Sequence, residues 1–126
     1  MNTNNSSNTV ELALYQLAHG RAGDKGNTSN ISVIAWDSEC FALLVEQLTE
    51  SRVAQWFAYR HPTKVTRHVL PKLEAMNFVL EGVLDGGVND ALNLDTHGKG
   101  LSFWMLDLPL AVPNALAARL EVKEYS

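Results

Sequence analysis

Alternating apolar and polar residues predict β-strands at several places along the chain. Residues 10–15 and 64–70 alternate regularly, as in strands that bury one face. Residues 31–36 are β-branched and apolar on both faces, which is typical of a central strand covered on both sides. Residues 91–95 are predicted as a short strand and residues 110–112 as a final edge strand. The chain therefore has enough strand segments to form a sheet.

Apolar residues at helical spacing predict two helices after the central strand. Asp37 or Ser38 is predicted to cap the first helix, whose apolar residues recur at positions 41, 44, 45 and 48. Thr49 is predicted to cap a second, short helix that carries apolar residues at positions 53, 56 and 57. This helix ends near His61-Pro62, because the residue before a proline disfavours helical geometry.

Helical spacing also predicts helices in the second half of the chain. Pro71 suits a helix start, and apolar residues at positions 76, 79, 80 and 83 extend this helix to Gly86-Gly87. After a turn at residues 98–100, positions 101, 104, 105 and 108 show helical spacing again, although residues 103–105 also fit a strand, and Pro109 ends the element. Asn114 is predicted to cap a short C-terminal helix.

The order of these elements predicts the fold class. Because strands and helices are interleaved, we expect an α+β layer with helices on one face of a mainly antiparallel sheet. The 126 residues, of which 46% are apolar, are enough for one core and too few for two. A single domain is therefore predicted over residues 10–126. Residues 1–9 are rich in Asn, Ser and Thr and are predicted to be a disordered N-terminal tail.

Charge and composition argue against several classes of protein. The formal net charge of -4 disfavours nucleic-acid binding, which normally uses a basic face. No apolar run approaches the roughly 18 residues that span a bilayer, and the N-terminus lacks a signal segment. The single cysteine, Cys40, cannot form an internal disulfide, which fits a cytoplasmic protein. Cys40 is itself predicted to be buried as a small hydrophobe.

The segment 20–30 concentrates the candidate chemistry of the chain. It places three glycines, two cations, one carboxylate and two asparagines between apolar runs. We expect a loop in which Arg21, Lys25 and backbone N–H groups hold a carboxylate or a phosphate. Gly23 and Gly26 would let the backbone approach such a ligand closely. The segment therefore predicts an anion site.

Asp24 and Lys25 are the predicted catalytic residues. In this interpretation Asp24 orients the loop or takes a proton, while Lys25 contacts the ligand. The alternative is that Asp24 caps turn amides and Lys25 is solvated. The segment lacks both nucleotide-binding patterns, because Lys25 precedes Gly26 rather than Ser or Thr and the glycines have the wrong spacing for a dinucleotide fold.

Three further polar residues are candidate ligand contacts. Asn30, at the exit of the motif, contacts a ligand or braces the loop. Asn77 lies in the apolar stripe of a predicted helix and needs a hydrogen bond, to the motif or to a partner chain, unless it is exposed. Arg67 lies in the middle of a predicted strand, as a second anion contact or in a cross-strand ion pair.

Histidine spacing predicts neither a metal nor a cofactor. The four histidines have no ligand spacing with one another. His19 adjoins the motif and is the one histidine considered as an acid or base. Asp95 and Lys99 flank a glycine turn, and turn chemistry is the expected explanation for both.

Three ordered blocks of sequence resemble the C-terminal domain of the acyclic terpene utilisation protein AtuA. The blocks are residues 18–35, residues 67–71 with 76–80, and residues 84–88 with 94–95 and 98–99. The resemblance covers about residues 10–113 and implies a ferredoxin-like two-layer sandwich. Gly20 and Ser32 depart from the pattern of the family, but neither departure removes an ionic residue.

The resemblance also implies a setting for the domain. In the family it usually follows a larger domain, so a stand-alone copy is expected to be an accessory subunit in bacterial acyclic terpene or branched acyl-CoA catabolism. It would dock on a large AtuA-type subunit or form a homo-oligomer, with an acyl-CoA or carboxylate as ligand. Two other hypotheses are a self-sufficient lyase or hydratase-like enzyme that uses Asp24, Lys25 and His19, and a purely structural oligomerisation module.

Overall fold

The computed structural model describes residues 8–26, 28–83 and 98–125, which form a mixture of strands and helices. The strands are β1 (Thr9–Ala13), β2 (Ala18–Lys25), β3 (Thr28–Ala35), β4 (Lys64–Leu70), β5 (Ala75–Glu81) and β6 (Pro109–Pro113). The helices are α1 (Ser38–Gln47), α2 (Glu50–Trp56), α3 (Gly98–Leu106) and α4 (Asn114–Tyr125). Short 3-10 turns occupy Leu14–Gln16, Ala58–Arg60 and Pro71–Leu73.

The strands form two antiparallel sheets. The larger has the order β2-β3-β5-β4, and the smaller pairs β1 with β6. On β3, every second residue from Ser29 to Ala35 is buried, whereas the residues between them are exposed or partly buried. The helices therefore cover one face of the larger sheet, which confirms the predicted α+β class and its layering. β3 is central, as predicted, but only one of its faces is fully buried.

The two helices after β3 confirm the predicted caps. Asp37 Oδ1 accepts a hydrogen bond from the Cys40 backbone N–H at 2.9 Å, and α1 follows. Thr49 Oγ1 accepts one from the Arg52 backbone N–H at 3.1 Å, and α2 follows. Each side chain satisfies a backbone donor that the first helical turn leaves unpaired. Cys40 is fully buried, as predicted.

The helix predicted from Pro71 onward is wrong. Pro71–Leu73 forms one 3-10 turn, Glu74 takes a left-handed conformation with φ 51°, and β5 begins at Ala75. Met76, Phe78 and Leu80 alternate inward, so a period of two replaces the expected helical stripe. β5 pairs with both β3 and β4. These pairings come from distant segments, and they override the local pattern.

Two other predicted boundaries differ from the structure. Of the segment 20–30, expected to be a loop, residues 20–25 belong to β2 and residues 28–30 to β3, and residues 98–100, expected to be a turn, begin α3. β1 starts at Thr9, and Lys64–Leu70 forms β4 with the predicted bounds. The predicted strand 91–95, the helix end at residues 86–87 and most of the predicted tail (residues 1–7) lie outside the described residues.

Helix α3 packs directly on the edge strand β2. A Cβ atom at Gly20 would meet the carbonyl oxygen of Ser32 at 3.3 Å and Cδ2 of Leu106 at 3.4 Å. Gly20 thus leaves room for the helix, which accounts for its place in the sequence. Trp104 of α3 stacks on Trp56 of α2 with ring centroids 4.7 Å apart. Each indole N–H donates to the other residue's carbonyl oxygen, so the pair ties the two helices together.

Side chains cover the outward edge of β6. Gln47 donates from Nε2 to the carbonyl oxygen of Ala111 and accepts from the Ala111 N–H at 2.9 Å. Arg52 donates to the carbonyl oxygen of Pro109. Pro109 and Pro113 have no backbone N–H to donate. No helix in the described part of the chain is long and apolar enough to cross a membrane.

Candidate functional site

The glycine-rich motif forms a β-hairpin rather than a loop. β2 and β3 pair in register from Ala18 opposite Ala35 to Lys25 opposite Thr28. Gly26, which follows β2 at the turn, has φ 64°. Side chains rarely adopt this left-handed conformation, so the turn itself requires the glycine. Gly26 therefore has a conformational role that needs no ligand.

The hairpin displays one set of its side chains on the sheet face opposite the helices, which we call the open face. Strand alternation and the register place Arg21 and Gly23 of β2 beside Ser32 and Asn30 of β3 on this face. Asn77 of β5 lies opposite Ser32. Arg21, Gly23 and Asn30 are exposed, and Ser32 and Asn77 are half-buried. Four of the predicted ligand-binding residues thus converge here.

A hydrogen-bond network joins the three polar side chains in the middle of the open face. Asn77 Nδ2 donates to Asn30 Oδ1 and to Ser32 Oγ, the latter at 3.0 Å. The predicted bond from Asn77 to the motif is therefore present, although it starts from a strand and not from a helix. Asn30 also has the bracing role that was expected as an alternative to ligand contact.

This network leaves hydrogen-bond donors facing solvent. Since Asn77 uses its two N–H groups on Asn30 and Ser32, Asn30 retains its own NH₂ and Ser32 retains its O–H. The Arg21 guanidinium lies beside them and makes no hydrogen bond or ion pair with the described residues. Donors of this kind can bind a carboxylate or a phosphate.

A shallow groove of about 760 Å³ runs along the hairpin at this point. It is lined by Arg21, Ala22, Gly23, Asp24, Thr28, Asn30, Ser32 and Ile34. Apart from the chain neighbours of Gly23, no heavy atom of the described residues comes within 4 Å of the place that a Cβ atom at Gly23 would occupy. Gly23 therefore leaves a hollow between Arg21 and Asn30 that is open to a ligand.

The structure places the predicted catalytic residues only in part: Asp24 belongs to the groove lining, and the side chain of Lys25 lies outside the described residues. Asp24 pairs with the buried Ser29, so the register places it on the side of β2 away from Arg21. His19 lies five residues before Asp24 along the extended strand, about 16 Å from it. Its ring stacks on Trp36 with ring centroids 5.0 Å apart. Of Lys25 the structure describes the backbone, which closes the hairpin. Catalysis by Asp24 and Lys25 stays a prediction.

Arg67 is a correction to the predicted site. Its Nη1 donates to the carbonyl oxygens of Val45 at 3.0 Å and Leu48 at 2.9 Å, at the C-terminal end of α1. Its backbone N–H donates to Glu50 Oε2 at 2.7 Å. Arg67 therefore caps a helix on the covered side of the sheet, where a cation is favourable. Among the described residues Arg67 makes these bonds and no cross-strand ion pair, and its role as an anion contact stays a prediction.

Sequence reasoning missed Ser32 as a member of the site. Its signal was present, since Asn30, Ser32 and Ile34 alternate with the buried residues of β3. Ser29, on the covered side, is buried, and its hydroxyl has no hydrogen-bond partner among the described residues. Asp95 and His97 lie outside those residues, and Lys99 lies in the first turn of α3. Within the described ranges, no three His, Cys, Asp or Glu residues cluster as metal ligands.

Fold and site together define a small α+β sandwich domain with an anion-compatible groove on its open sheet face. The family model for the AtuA ferredoxin-like domain matches residues 12–111, and the chain belongs to this family. Searches of curated proteins and of solved structures found no match to the chain.

Proposed function

We propose that this protein is an accessory subunit that binds the anionic group of a small ligand at the hairpin groove. The observation that carries this proposal is the set of donors on Arg21, Asn30 and Ser32, around the hollow at Gly23, that no other described residue accepts. An arginine holds a carboxylate or phosphate by two parallel hydrogen bonds, which gives the ligand a fixed orientation.

The exposure of the groove favours an accessory role over a self-sufficient enzyme. Arg21 and Asn30 are open to water, and exposed ionic contacts contribute little because solvent competes for them. A second subunit that closed over the groove would exclude this water and strengthen each contact. We therefore propose a shared site, completed by a large AtuA-type subunit or by another copy of the chain.

The family supplies the proposed cellular setting. We infer bacterial catabolism of acyclic terpenes or branched acyl-CoA compounds in the cytoplasm, with a carboxylate or a CoA-linked acyl group as the ligand. Such molecules carry the carboxylate or phosphate groups that the donors of the groove would recognise. Affinity purification of the chain from its native host tests the partner: recovery without a large AtuA-type subunit would contradict the accessory role.

Backbone NMR of the full chain, titrated with acetate, inorganic phosphate and coenzyme A, tests the anion site. We expect the amide signals of Arg21, Gly23 and Asn30 to shift together with one saturation curve. Arg21→Ala should weaken binding at least tenfold. Lys72→Ala, which removes the same charge beyond the opposite edge strand, is the matched control and should leave binding unchanged. Equal effects of the two variants would contradict a specific site.

A further inference from the structure

The hydrogen-bonding pattern of the larger sheet decides which backbone groups of its edge strands point outward. In an antiparallel pair, opposite residues alternate between pairs that exchange both backbone hydrogen bonds and pairs that exchange none. Lys25 and Thr28 are opposite residues at the end of the hairpin, where the pair nearest the turn exchanges both bonds. Arg21 therefore bonds to β3, whereas the N–H and C=O groups of Gly20 and Ala22 point away from the sheet.

The opposite edge of the sheet agrees with this pattern. Carried through the registers of β3, β5 and β4, the alternation leaves the backbone N–H of Arg67 pointing outward. Glu50 of α2 accepts that N–H through Oε2 at 2.7 Å. No hydrogen bond between described residues involves the outward groups of Gly20 and Ala22. The middle of β2 thus keeps the groups that a further strand requires, and the middle of β4 does not.

Small residues leave the margin of β2 open to another chain. Gly20, Ala22 and Gly23 have at most a methyl group, and the hairpin groove is lined by Ala22 and Gly23 on this strand. Glycine within a strand often marks a place where another backbone approaches closely. The outward groups of β2 are therefore not screened by long side chains of their own.

One charge lies beside these groups. The Arg21 guanidinium is exposed on the open face of the same strand and makes no ion pair with the described residues. In a strand added antiparallel to β2, the residue opposite Arg21 would lie on the same face with its Cα about 4.5 Å away, because this pair exchanges no backbone bonds. An acidic side chain at that position would pair with the arginine.

We propose that β2 is the docking edge for an extended, acidic segment of a partner protein, which adds to the larger sheet as a fifth, antiparallel strand. The backbone of the segment would pair with Gly20 and Ala22, and one of its carboxylates would bind Arg21. The proposal rests on the anion site of the proposed function, and it names a carboxylate of the partner as an anion that occupies this site.

A second copy of the chain meets this requirement less well. When two β2 strands pair antiparallel about a twofold axis normal to the sheet, residues of one face stay together. The residues available to Arg21 are then those that share its face, at positions 19, 21, 23 and 25, and none of them is acidic. Asp24 lies on the other face. The charge on this edge therefore favours a different protein.

A designed peptide tests the proposal. The probe is the acetylated and amidated heptapeptide Thr-Val-Thr-Glu-Thr-Val-Thr, whose glutamate would face Arg21 while the threonines beside it pair with Gly20 and Ala22. NMR titration of the full chain should shift the amide signals of Gly20 and Ala22 together. Hydrogen exchange of both amides should be fast in the free chain and at least tenfold slower with the peptide bound, because the added strand supplies their acceptors.

Backbone methylation of the peptide separates strand addition from simple charge attraction. Methylating the nitrogens of the two threonines beside the glutamate removes the donors to the carbonyl oxygens of Gly20 and Ala22, and should weaken binding at least tenfold. Methylating the two valine nitrogens, which face away from β2, is the matched control and should leave the affinity within about twofold. Equal effects of the two modifications would overturn strand addition.

Variants of the chain test the same contacts. Ala22→Pro removes the outward N–H and none of the bonds to β3, so it should fold and weaken peptide binding at least tenfold. Val69→Pro, at an outward position of β4 by the same pattern, is the matched control with no effect expected. Arg21→Glu keeps the test available should Ala22→Pro fail to fold: it should lose the glutamate peptide and bind the peptide in which lysine replaces the glutamate.

The outcomes distinguish this proposal from the function on which it rests. Binding of acetate or phosphate at Arg21 without binding of the peptide would overturn the docking edge and leave the anion site intact. Binding of the peptide without binding of any small anion would keep the docking edge and overturn the small ligand. Binding of neither would overturn both. A dimer, detected by sedimentation, that Ala22→Pro dissociates would make a second copy the occupant and overturn the acidic partner.

Discussion

Replacing Arg67 tests whether this cation, on the face of the sheet that the helices cover, caps α1 or contacts a ligand. In Arg67→Met the chain loses the two hydrogen bonds from Nη1 to the carbonyl oxygens of Val45 and Leu48. Hydrogen bonds from a charged donor contribute about 1.5–3 kcal/mol each. Because Arg67 is half-buried, water can replace part of the loss, and we expect a decrease of about 2–3 kcal/mol in the free energy of unfolding.

Urea denaturation followed by circular dichroism measures this change from the midpoint at a constant slope. Arg67→Lys keeps the charge at the end of α1 but loses the paired geometry, so it should fall between the native chain and Arg67→Met. Binding of acetate or phosphate should be unchanged in both variants. A loss of less than about 0.5 kcal/mol, or loss of anion binding in a folded variant, would refute the assignment of Arg67 as a cap.

Three other expectations follow from the described contacts. Gly23→Val should leave the unfolding free energy within about 0.5 kcal/mol, because a Cβ atom there meets no described residue within 4 Å except its chain neighbours. The same variant should weaken anion binding at least tenfold in an NMR titration, and unchanged binding would contradict the hollow. The hydrogen bond from Arg119 holds the pKa of Asp37 at about 2, against an ordinary value of 3.8. A lowered pKa gives stability that is present above the ordinary value and is lost as the pH falls through about 2. In the native chain, the free energy of unfolding measured with urea should therefore fall between pH 4 and pH 2. Asp37→Asn, which still caps α1, should show a smaller fall over the same range. Trp104→Leu removes the stack and the indole donor to Trp56. It should lower the free energy of unfolding by about 2–4 kcal/mol in the same assay. A smaller decrease than that caused by Phe103→Asn, at an exposed position, would contradict this.

Elements whose signals are local could be predicted from the sequence. The caps at Asp37 and Thr49 and the helical spacing after them lie within a few residues of one another, and α1 and α2 appear as expected. β5 is different, because the apolar residues Met76 and Leu80 satisfy both a helical period and a strand period. Its pairing with β3 and β4 decides between them, and that pairing involves residues far away in the sequence.

The candidate site was predicted in part for the same reason. Arg21 and Asn30 stand in the motif and were found by residue type alone. Ser32 was missed as a contact because a side chain is assigned to a face only when the strand and its register are known. The bonds of Arg67 to α1 were not predicted, because its acceptors are carbonyl oxygens at the end of that helix, about twenty residues earlier. Backbone acceptors leave no signature in side-chain sequence.

The cover over β6 limits how this protein can assemble. Gln47 occupies both hydrogen-bonding groups of Ala111, Arg52 occupies the carbonyl of Pro109, and the two prolines bring no donors. These contacts occupy the groups that a strand from another molecule would need at Pro109 and Ala111, so they protect β6 against strand addition. A complex that forms by strand addition would have to use another sheet edge, and β2, which carries the hairpin, is one of the edges of the larger sheet.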